Sequence, residues 1–269
     1  MTTRQFERDR TRLAYVEFGG DGPPILLVHG LAGHAGEWRH CAEALLHGGY
    51  SVFALDQRGH GASERDPADM SRAAFVEDCA ATIGELGRGP VTLIGQSMGA
   101  STALLTAAAH PELVRSLVVI EGSPDGPEPP DPNPPIAADI REWLSAWPVP
   151  FADERAALDF FESERLDARA WTDGLERTRD GLAPRFVIER LVECMRELGS
   201  RSYWEQWRSI SCPILIVAGE HGSLAPGHQQ ELVAAGRRAS CVTLPGAGHD
   251  VHLDAPEALI QAVVEWAVR

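Results

Sequence analysis

The chain has 269 residues, 44% of them hydrophobic, which is enough to bury a large core in one domain or in one domain with an insertion. Its 24 basic residues are all arginine, and 39 acidic residues bring the net charge to −15, which argues against nucleic acid and anionic membranes as partners. Five scattered cysteines, no apolar leader and no apolar run of about 18 residues predict a cytoplasmic protein without a disulfide framework or a membrane span.

The N-terminal part of the chain alternates predicted strands with predicted helices. Residues 12–18 alternate in polarity like an edge strand, and residues 24–29 form a continuous apolar run typical of a strand buried on both faces. A helix is expected over 38–46, another strand over 51–55, and a second helix over about 72–86. This alternation predicts an α/β fold with a mostly parallel sheet and helices on both faces.

The next segment carries the strongest chemical signal. An apolar run that begins at Val91 ends in Gly-Gln-Ser-Met-Gly, residues 95–99, and a small-residue helical stretch follows at once. A serine at the apex of a sharp strand-to-helix turn has a strained backbone, so the residues two positions away must lack a bulky Cβ. Its hydroxyl then projects from the sheet edge beside a helix N-terminus. We therefore interpret Ser97 as a candidate nucleophile.

A different composition marks residues 123–210. They follow a predicted strand over 114–120, and they open with a linker, 124–135, in which seven of twelve residues are proline and which should be stiff and extended. Amphipathic helical patterns follow, with five of the seven tryptophans: Trp143, Trp147, Trp171, Trp204 and Trp207. Most should be packing residues, and one or two could cover an apolar pocket. We predict a core domain of residues 1–122 and 211–269 with an inserted helical cap, 123–210.

The remaining residues return to the strand and helix pattern. Strands are expected over 212–218 and 241–244, with a helix over 229–235 between them. Asp254 should cap a final helix, because a proline and an acidic residue follow it at the positions typical of a helix start.

A histidine lies in the glycine-rich loop after the last predicted strand. Loops beyond the carboxyl ends of parallel strands carry ligands in open α/β sheets, and Ser97 lies at the end of another such strand. A serine hydroxyl is a weak nucleophile that needs a base. His249 is the predicted general base, and His252 a structural neighbour.

The turn after the first buried strand completes the predicted site. His29-Gly30-Leu31 lies between that strand and the first long helix. The backbone N–H of Leu31 is expected to pair with that of Met98 as an oxyanion hole.

These motifs resemble those of the α/β-hydrolase fold superfamily in order and spacing over nearly the whole chain. They are His29-Gly30, Asp56-x-x-Gly59-x-Gly61-x-Ser63, Gly95-x-Ser97-x-Gly99 and Gly246-x-Gly248-His249. The resemblance implies an eight-stranded, mostly parallel sheet, a cap in the inserted segment, and a triad of serine, acid and histidine.

The position of the triad acid departs from the common family pattern. Family members often carry an aspartate a few residues beyond the seventh strand, where this chain has Gly222. The superfamily's other acid site follows the sixth strand, as in several haloalkane dehalogenases, and there this chain has Glu121. We predict Glu121 as the acid, with Glu220, Asp125 or no acid as the alternatives. The serine nucleophile excludes dehalogenase and epoxide hydrolase chemistry, both of which need a carboxylate there.

The predicted function is hydrolysis of a carboxylic ester, thioester or lactone of a small, mainly apolar substrate through an acyl-enzyme. No cofactor or metal is expected, and the oligomeric state is left open. The alternatives on the same triad are a cofactor-free perhydrolase of the haloperoxidase type and a cyclase or acyltransferase of secondary metabolism. A non-catalytic ligand receptor on the same scaffold is the alternative from another class.

Overall fold

A computed structural model describes residues 1–267 of the chain; residues 268 and 269, the end of the predicted core segment, lie outside the described residues. The strands are β1 (Thr2–Arg8), β2 (Thr11–Gly19), β3 (Pro24–Val28), β4 (Ser51–Asp56), β5 (Val91–Gln96), β6 (Val114–Ile120), β7 (Leu175–Arg177), β8 (Leu182–Pro184), β9 (Ile214–Gly219) and β10 (Ala239–Leu244). The helices are α1 (Arg39–His47), α2 (Arg72–Leu86), α3 (Met98–Ala109), α4 (Ile136–Ser145), α5 (Glu154–Ser163), α6 (Ala168–Asp173), α7 (Ile188–Leu198), α8 (Trp204–Ser209), α9 (Pro226–Ala235), α10 (Val251–Asp254) and α11 (Pro256–Ala267).

Eight strands form one sheet in the order β1-β2-β4-β3-β5-β6-β9-β10. The pairings of β1 with β2 and of β2 with β4 are antiparallel, and the other five are parallel. The α/β fold with an eight-stranded, mostly parallel sheet that the sequence predicted is confirmed.

Alternate residues of the central strands face two separate apolar clusters. Leu26 and Leu93 belong to the cluster that includes Leu104 of α3, whereas Leu27 belongs to the opposite cluster with Leu259 of α11. Full burial of each such side chain stabilises the fold by about 1.5–3 kcal/mol. Since helices cover both faces, the carboxyl ends of the parallel strands are left at one edge, where loops can carry function.

The N-terminal edge of the sheet differs from the prediction. β1 lies outside β2, so residues 12–18 belong to the second strand and not to an edge strand. The side chains of β1 are mostly exposed, and Arg4 pairs with Glu17 across the ladder at 3.1 Å. A strand that buries so little apolar surface has weak hydrophobic periodicity, which is why the sequence did not reveal it.

The start of the last helix also needs correction. Asp254 closes the short helix α10, and its Oδ2 accepts a hydrogen bond from the Gly248 N–H at 2.7 Å. It therefore anchors the loop that carries His249, and the interpretation of Asp254 as the cap of the final helix is wrong.

Between β6 and β9 the chain forms helices α4 to α8 and the two-stranded β7–β8 hairpin. The proline-rich segment forms neither helix nor strand, as expected. The hairpin was not expected; it turns through Gly181, whose φ of +141° and contact with the Phe151 carbonyl leave no space for a side chain. Trp147 packs edge-to-face on Trp143 and Trp171, so these three residues form an aromatic core within the inserted segment.

The glycine-containing segment of residues 56–63, which begins at the last residue of β4, has a structural role. The Asp56 carboxylate accepts hydrogen bonds from the N–H groups of Ala35 at 2.7 Å and Ala62 at 3.0 Å. Arg58 is buried and donates through Nε and Nη2 to Asp78 at 2.6 and 2.8 Å. These contacts fix the loops beside the site. None of the helices described within residues 1–267 is long and apolar enough to cross a membrane.

Candidate active site

Ser97 occupies a strained turn between β5 and α3. Its φ of +52° and ψ of −116° are rare for a residue with a Cβ. A Cβ on Gly95 would lie 2.3 Å from the Gly99 carbonyl oxygen, and one on Gly99 would lie 2.3 Å from that of Val28. Both positions therefore require glycine, and the resulting tight turn places the Ser97 side chain, which is only partly buried, at the sheet edge.

The predicted oxyanion groups lie beside this turn. A Cβ built on Gly30 would be 3.5 Å from the Ser97 Cβ, so the chain approaches the serine closely before Leu31. Met98 is the first residue of α3, where N–H groups have no acceptor within the helix. Within residues 1–267, neither the Leu31 N–H nor the Met98 N–H is taken up by another residue. Both donors are available to an anionic oxygen.

Glu121 follows β6 directly and has a fully buried side chain. Its Oε1 accepts from the Gly219 N–H at 2.9 Å, and its Oε2 accepts from the N–H and hydroxyl of Ser223 at 2.5 and 2.7 Å. The same Oε2 lies 3.4 Å from the His249 Nδ1. A buried carboxylate with this many donors is held in one orientation, facing the imidazole.

Gly222 explains why the carboxylate can come from β6. A Cβ at position 222 would lie 2.2 Å from the Glu121 Oε1, so the carboxylate occupies space that a side chain at 222 would need. Glu220 is exposed, and its Oε2 accepts from the Gly246 N–H at 2.8 Å. Asp125 contacts His228 at 2.7 Å. Among the three candidate acids, the structure brings only Glu121 within reach of the His249 ring.

The electrostatics of the pair favour a charged imidazole. Burial lowers the pKa of His249, but the hydrogen bond to Glu121 and the charge of Asp250 outweigh this effect and leave the pKa raised. Burial raises the pKa of Glu121, yet hydrogen bonds from His249, Ser223 and Gly219 bring it below its ordinary value. The carboxylate therefore stays ionised and stabilises a proton on the ring.

Ser97 and His249 are less closely joined than Glu121 and His249 are. In the part of the chain that the structure describes, no hydrogen bond links the Ser97 hydroxyl to another side chain, and the His249 side chain is 48% exposed. Glu121 and His249 are thus brought together, and Ser97, the candidate nucleophile, lies at the same sheet edge. Hydrogen bonds between a nucleophile and its general base are often long in the absence of substrate and shorten in the enzyme–substrate complex.

His252 is buried on the far side of the same loop. Its Nε2 lies 3.0 Å from the Glu37 carboxylate, and its ring stacks on Trp38 with centroids 4.3 Å apart. Burial raises the pKa of Glu37, but the His252 contact outweighs that and lowers it to about 2. This pair anchors the loop, as expected of a structural neighbour.

Two residues that the sequence did not single out support the site. Gln96 donates through Nε2 to the His249 carbonyl at 3.1 Å and to the Asp250 Oδ1 at 3.2 Å, and its Oε1 faces Gly30. It therefore ties the nucleophile turn to the histidine loop. The Ser223 hydroxyl, 3.5 Å from the His249 Nδ1, adds a second polar neighbour of the ring. Gln96 fills a variable position of its motif and Ser223 follows no motif, so no sequence signal identified them.

The surroundings of the turn are apolar. Leu31 packs against the apolar cluster of the inserted segment that contains Trp147, and it shares a second cluster with Met98, Met195 and Leu198. The Sγ of Cys194 in α7 lies 3.4 Å from the Met98 Sδ, so α7 contacts the residue next to Ser97. Within residues 1–267, no group of three or more His, Cys, Asp or Glu side chains is arranged to hold a metal ion.

The chain is similar to several known proteins. The model of the alpha/beta hydrolase family matches residues 25–262. The chain belongs to the alpha/beta hydrolase family. It is 29% identical to the sn-1-specific diacylglycerol lipase ABHD11 of Mus musculus over 94% of this chain and 84% of the relative. It is 27% identical to the 2-(acetamidomethylene)succinate hydrolase of Mesorhizobium japonicum over 92% of this chain and 88% of that one.

A solved structure of the same type supports the fold. The crystal structure of an E-2-(acetamidomethylene)succinate hydrolase superposes with a TM-score of 0.86 at 25% identity, covering 100% of this chain and 99% of the other. The relatives of this family member are hydrolases, esterases and lipases, and this protein is an enzyme of the hydrolase class.

Proposed function

We propose that this hydrolase cleaves a carboxylic ester, thioester or lactone with a triad of Ser97, His249 and Glu121. The observation that carries the proposal is the buried Glu121 carboxylate, held by three protein donors and 3.4 Å from the imidazole, at the sheet edge that presents Ser97. An ionised carboxylate fixes the tautomer and orientation of a histidine that serves as general base.

The reaction runs in two halves. The Ser97 oxygen attacks the substrate carbonyl while His249 takes the hydroxyl proton, and the Leu31 and Met98 N–H groups stabilise the resulting oxyanion. The tetrahedral intermediate collapses, the leaving oxygen or sulfur receives the proton from His249, and an acyl-enzyme remains. Water then attacks the acyl group by the same steps, with His249 as base, and releases the acid and Ser97.

The substrate proposed is a small molecule with a mainly apolar acyl group. Support comes from the apolar side chains of Leu31, Met98, Met195 and Leu198, which gather beside the nucleophile turn. We propose in addition that residues 123–210 act as a cap over the site, because α7 contacts Met98 and the apolar cluster that contains Trp147 contacts Leu31. A cap of this kind excludes water and gates substrate entry.

Turnover of 4-nitrophenyl esters tests the proposal. Ser97→Ala should reduce kcat by about 10⁴–10⁶-fold, and His249→Ala should do nearly the same, because members of a triad act as a unit. Ser101→Ala, one turn further along α3, is the matched control and should keep most of the activity. A fluorophosphonate should phosphonylate Ser97 in the wild type, with loss of fluoride and the hydroxyl proton, and so add the mass of the reagent less hydrogen fluoride.

Two results would contradict this function. The first is ester turnover that survives in Ser97→Ala, which would place the nucleophile elsewhere. The second is a wild-type protein that forms no fluorophosphonate adduct and hydrolyses none of the esters, which would favour a ligand receptor on the same scaffold.

A further inference from the structure

A buried arginine without an acidic partner lies close to the nucleophile turn. Arg72 is the first residue of α2 and is only 2% exposed. Its Nη2 donates to the Cys194 Sγ at 2.8 Å, and its guanidinium stacks over the Phe75 ring at 3.9 Å. Its Nε and Nη1 have no hydrogen-bond partner among residues 1–267. At least three of the five guanidinium N–H donors, one on Nε and two on Nη1, are therefore unused.

The nearby acidic groups are occupied by other residues. Asp78 binds Arg58 through both oxygens and also accepts from Arg8. The Glu197 carboxylate accepts from the main-chain N–H of Arg72 and pairs with Arg201 at 3.6 Å. Within the described residues, no carboxylate lies within 4.0 Å of the Arg72 guanidinium.

The other contacts of Arg72 do not neutralise its charge. Burial raises the pKa of the Cys194 thiol even though Arg72 lowers it, so the sulfur stays protonated. The Phe75 ring offers a cation–π contact, which is weaker than the penalty for burying an unpaired ion. The position is also unfavourable for a cation, because the N-terminus of a helix carries partial positive charge. A bound anion would neutralise the guanidinium, which the thiol and the Phe75 ring do not, and it would also offset the positive end of the helix.

The contacts of the Arg72 guanidinium place its charge close to the proposed active site at Ser97. Cys194, which holds the Arg72 Nη2, also contacts Met98, and Phe75 shares a cluster with Met98 and Leu31. Three of the four methionines of the chain, Met70, Met98 and Met195, belong to this cluster. Methionine side chains are flexible enough to rearrange around a ligand.

We propose that the Arg72 guanidinium binds a carboxylate on the acyl part of the substrate, so that the substrate is a half-ester, thioester or lactone of an acid with an apolar chain. This inference rests on the proposed function, since it places the scissile carbonyl at Ser97. The apolar side chains around Met98 would contact the acyl chain of the substrate, and the free N–H groups of Arg72 would bind the carboxylate at the far end of that acyl chain.

Matched substrates test the inference directly. The mono(4-nitrophenyl) esters of succinic, glutaric and adipic acid are compared with the 4-nitrophenyl esters of butyric, pentanoic and hexanoic acid, which have the same chain lengths. Wild type should show a kcat/KM at least about tenfold higher for one acidic ester than for its neutral counterpart. The three lengths allow for the unknown distance between the two ends of the substrate.

Arg72→Met should lower kcat/KM for the preferred acidic ester by about 100-fold and change that for the neutral ester less than about threefold. Arg201→Met is the matched control, since it removes one exposed arginine nearby and should leave the ratio of acidic to neutral rates unchanged. Arg72→Gln serves as a second variant, and thermal unfolding of both Arg72 variants reports their folding.

The outcomes separate the two proposals. Wild type that hydrolyses neutral esters without preferring any acidic ester overturns the assignment of Arg72 and leaves the hydrolase function standing. Equal losses on acidic and neutral esters in both Arg72 variants, with lower thermal stability, also overturn it and make Arg72 a structural residue. If no ester is hydrolysed, calorimetry measures the binding of succinate, glutarate and adipate to Ser97→Ala. Binding that the additional change Arg72→Met abolishes supports the carboxylate site, and the absence of such binding refutes it.

Discussion

The loops after β6 and β9 contribute different parts of the contact between the Glu121 carboxylate and the His249 imidazole. The β6 loop supplies the carboxylate itself, Glu121, with its backbone at a positive φ of +50°. The β9 loop supplies the N–H groups of Gly219 and Ser223 that hold this carboxylate, together with the empty space at Gly222. The Glu121 carboxylate and the donors that orient it thus come from the loops of neighbouring strands.

The comparison teaches that one loop can supply a charged oxygen near the histidine while the other supplies the donors that hold it. What matters for the His249 ring is a charged oxygen near Nδ1, and the structure provides it from β6 at 3.4 Å. The acidic residue on the β9 loop, Glu220, instead binds a backbone N–H of the next loop. Each of the following variants tests whether the two loops differ in this way.

The largest effect is expected for Glu121→Gln. The amide keeps the size of the side chain but loses the charge that stabilises the imidazolium and the acceptor that fixes its tautomer. In a serine protease the corresponding change lowers kcat by about 10⁴-fold, and we expect a loss of that order here. Steady-state kinetics with a 4-nitrophenyl ester measures it, and circular dichroism controls for folding. A loss below about tenfold would show that the β6 loop is not the source of the acid.

Moving the carboxylate from one loop to the other should restore part of the lost rate. Glu121→Gly suits the positive φ at 121, and Gly222→Asp places a new carboxylate where the old one lay. The double variant should exceed Glu121→Gly alone in kcat by about tenfold or more, a coupling typical of residues in contact. Gly222→Asp alone should lose activity, because its side chain collides with Glu121. A double variant no more active than either single variant would argue that the two positions do not share one space.

A smaller loss is expected for Gln96→Leu, which removes the tether between the nucleophile turn and the histidine loop. Two hydrogen bonds of ordinary strength are lost, so kcat should fall about tenfold. KM for a small ester should stay nearly constant, because Gln96 acts through the position of His249. Unchanged kcat would mean that the β6 and β9 loops hold the histidine without help.

The pH profile of kcat/KM should report the same carboxylate. The base must be neutral, so activity rises with pH as His249 loses its proton, and its raised pKa places this rise above the value near 6.5 that is ordinary for histidine. Glu121→Gln removes a contact that raises the pKa, so its residual activity should rise at lower pH than that of wild type. A rise at the same pH in both proteins would contradict the assigned contact.

Much of this organisation was readable from the sequence, for physical reasons. The buried parallel strands are continuous apolar runs, and the turn at Ser97 needs glycine on both sides, so the fold and the candidate nucleophile could be predicted. Glu121 could be proposed as the acid because the resemblance to the superfamily offers a second acid position after the sixth strand, and because Gly222 cannot supply an acid at the first. The outer strand β1 and the β7–β8 hairpin were not predicted from the sequence, because they bury few apolar side chains.

The groups that depend on tertiary contacts could not be predicted. The tether through Gln96 and the donors from Ser223 join residues that are far apart in the chain, and neither position has a motif of its own. Nothing in the sequence distinguishes Arg72 from the other arginines, and only the packing of α2 against α7 shows that it is buried without an acid.

The smallest effect is expected for Glu220→Gln, and it completes the comparison. Glu220 is exposed, and its only described role is to accept the Gly246 N–H at 2.8 Å, which the glutamine carbonyl can also accept. We expect a change in kcat of no more than about threefold and a change in stability within about 0.5 kcal/mol. The ratio of the losses caused by Glu121→Gln and Glu220→Gln, measured with the same ester on the same day, should therefore exceed about 10³. A reversed ratio would place the acid on the β9 loop, and Gly222 would then no longer explain where the carboxylate comes from.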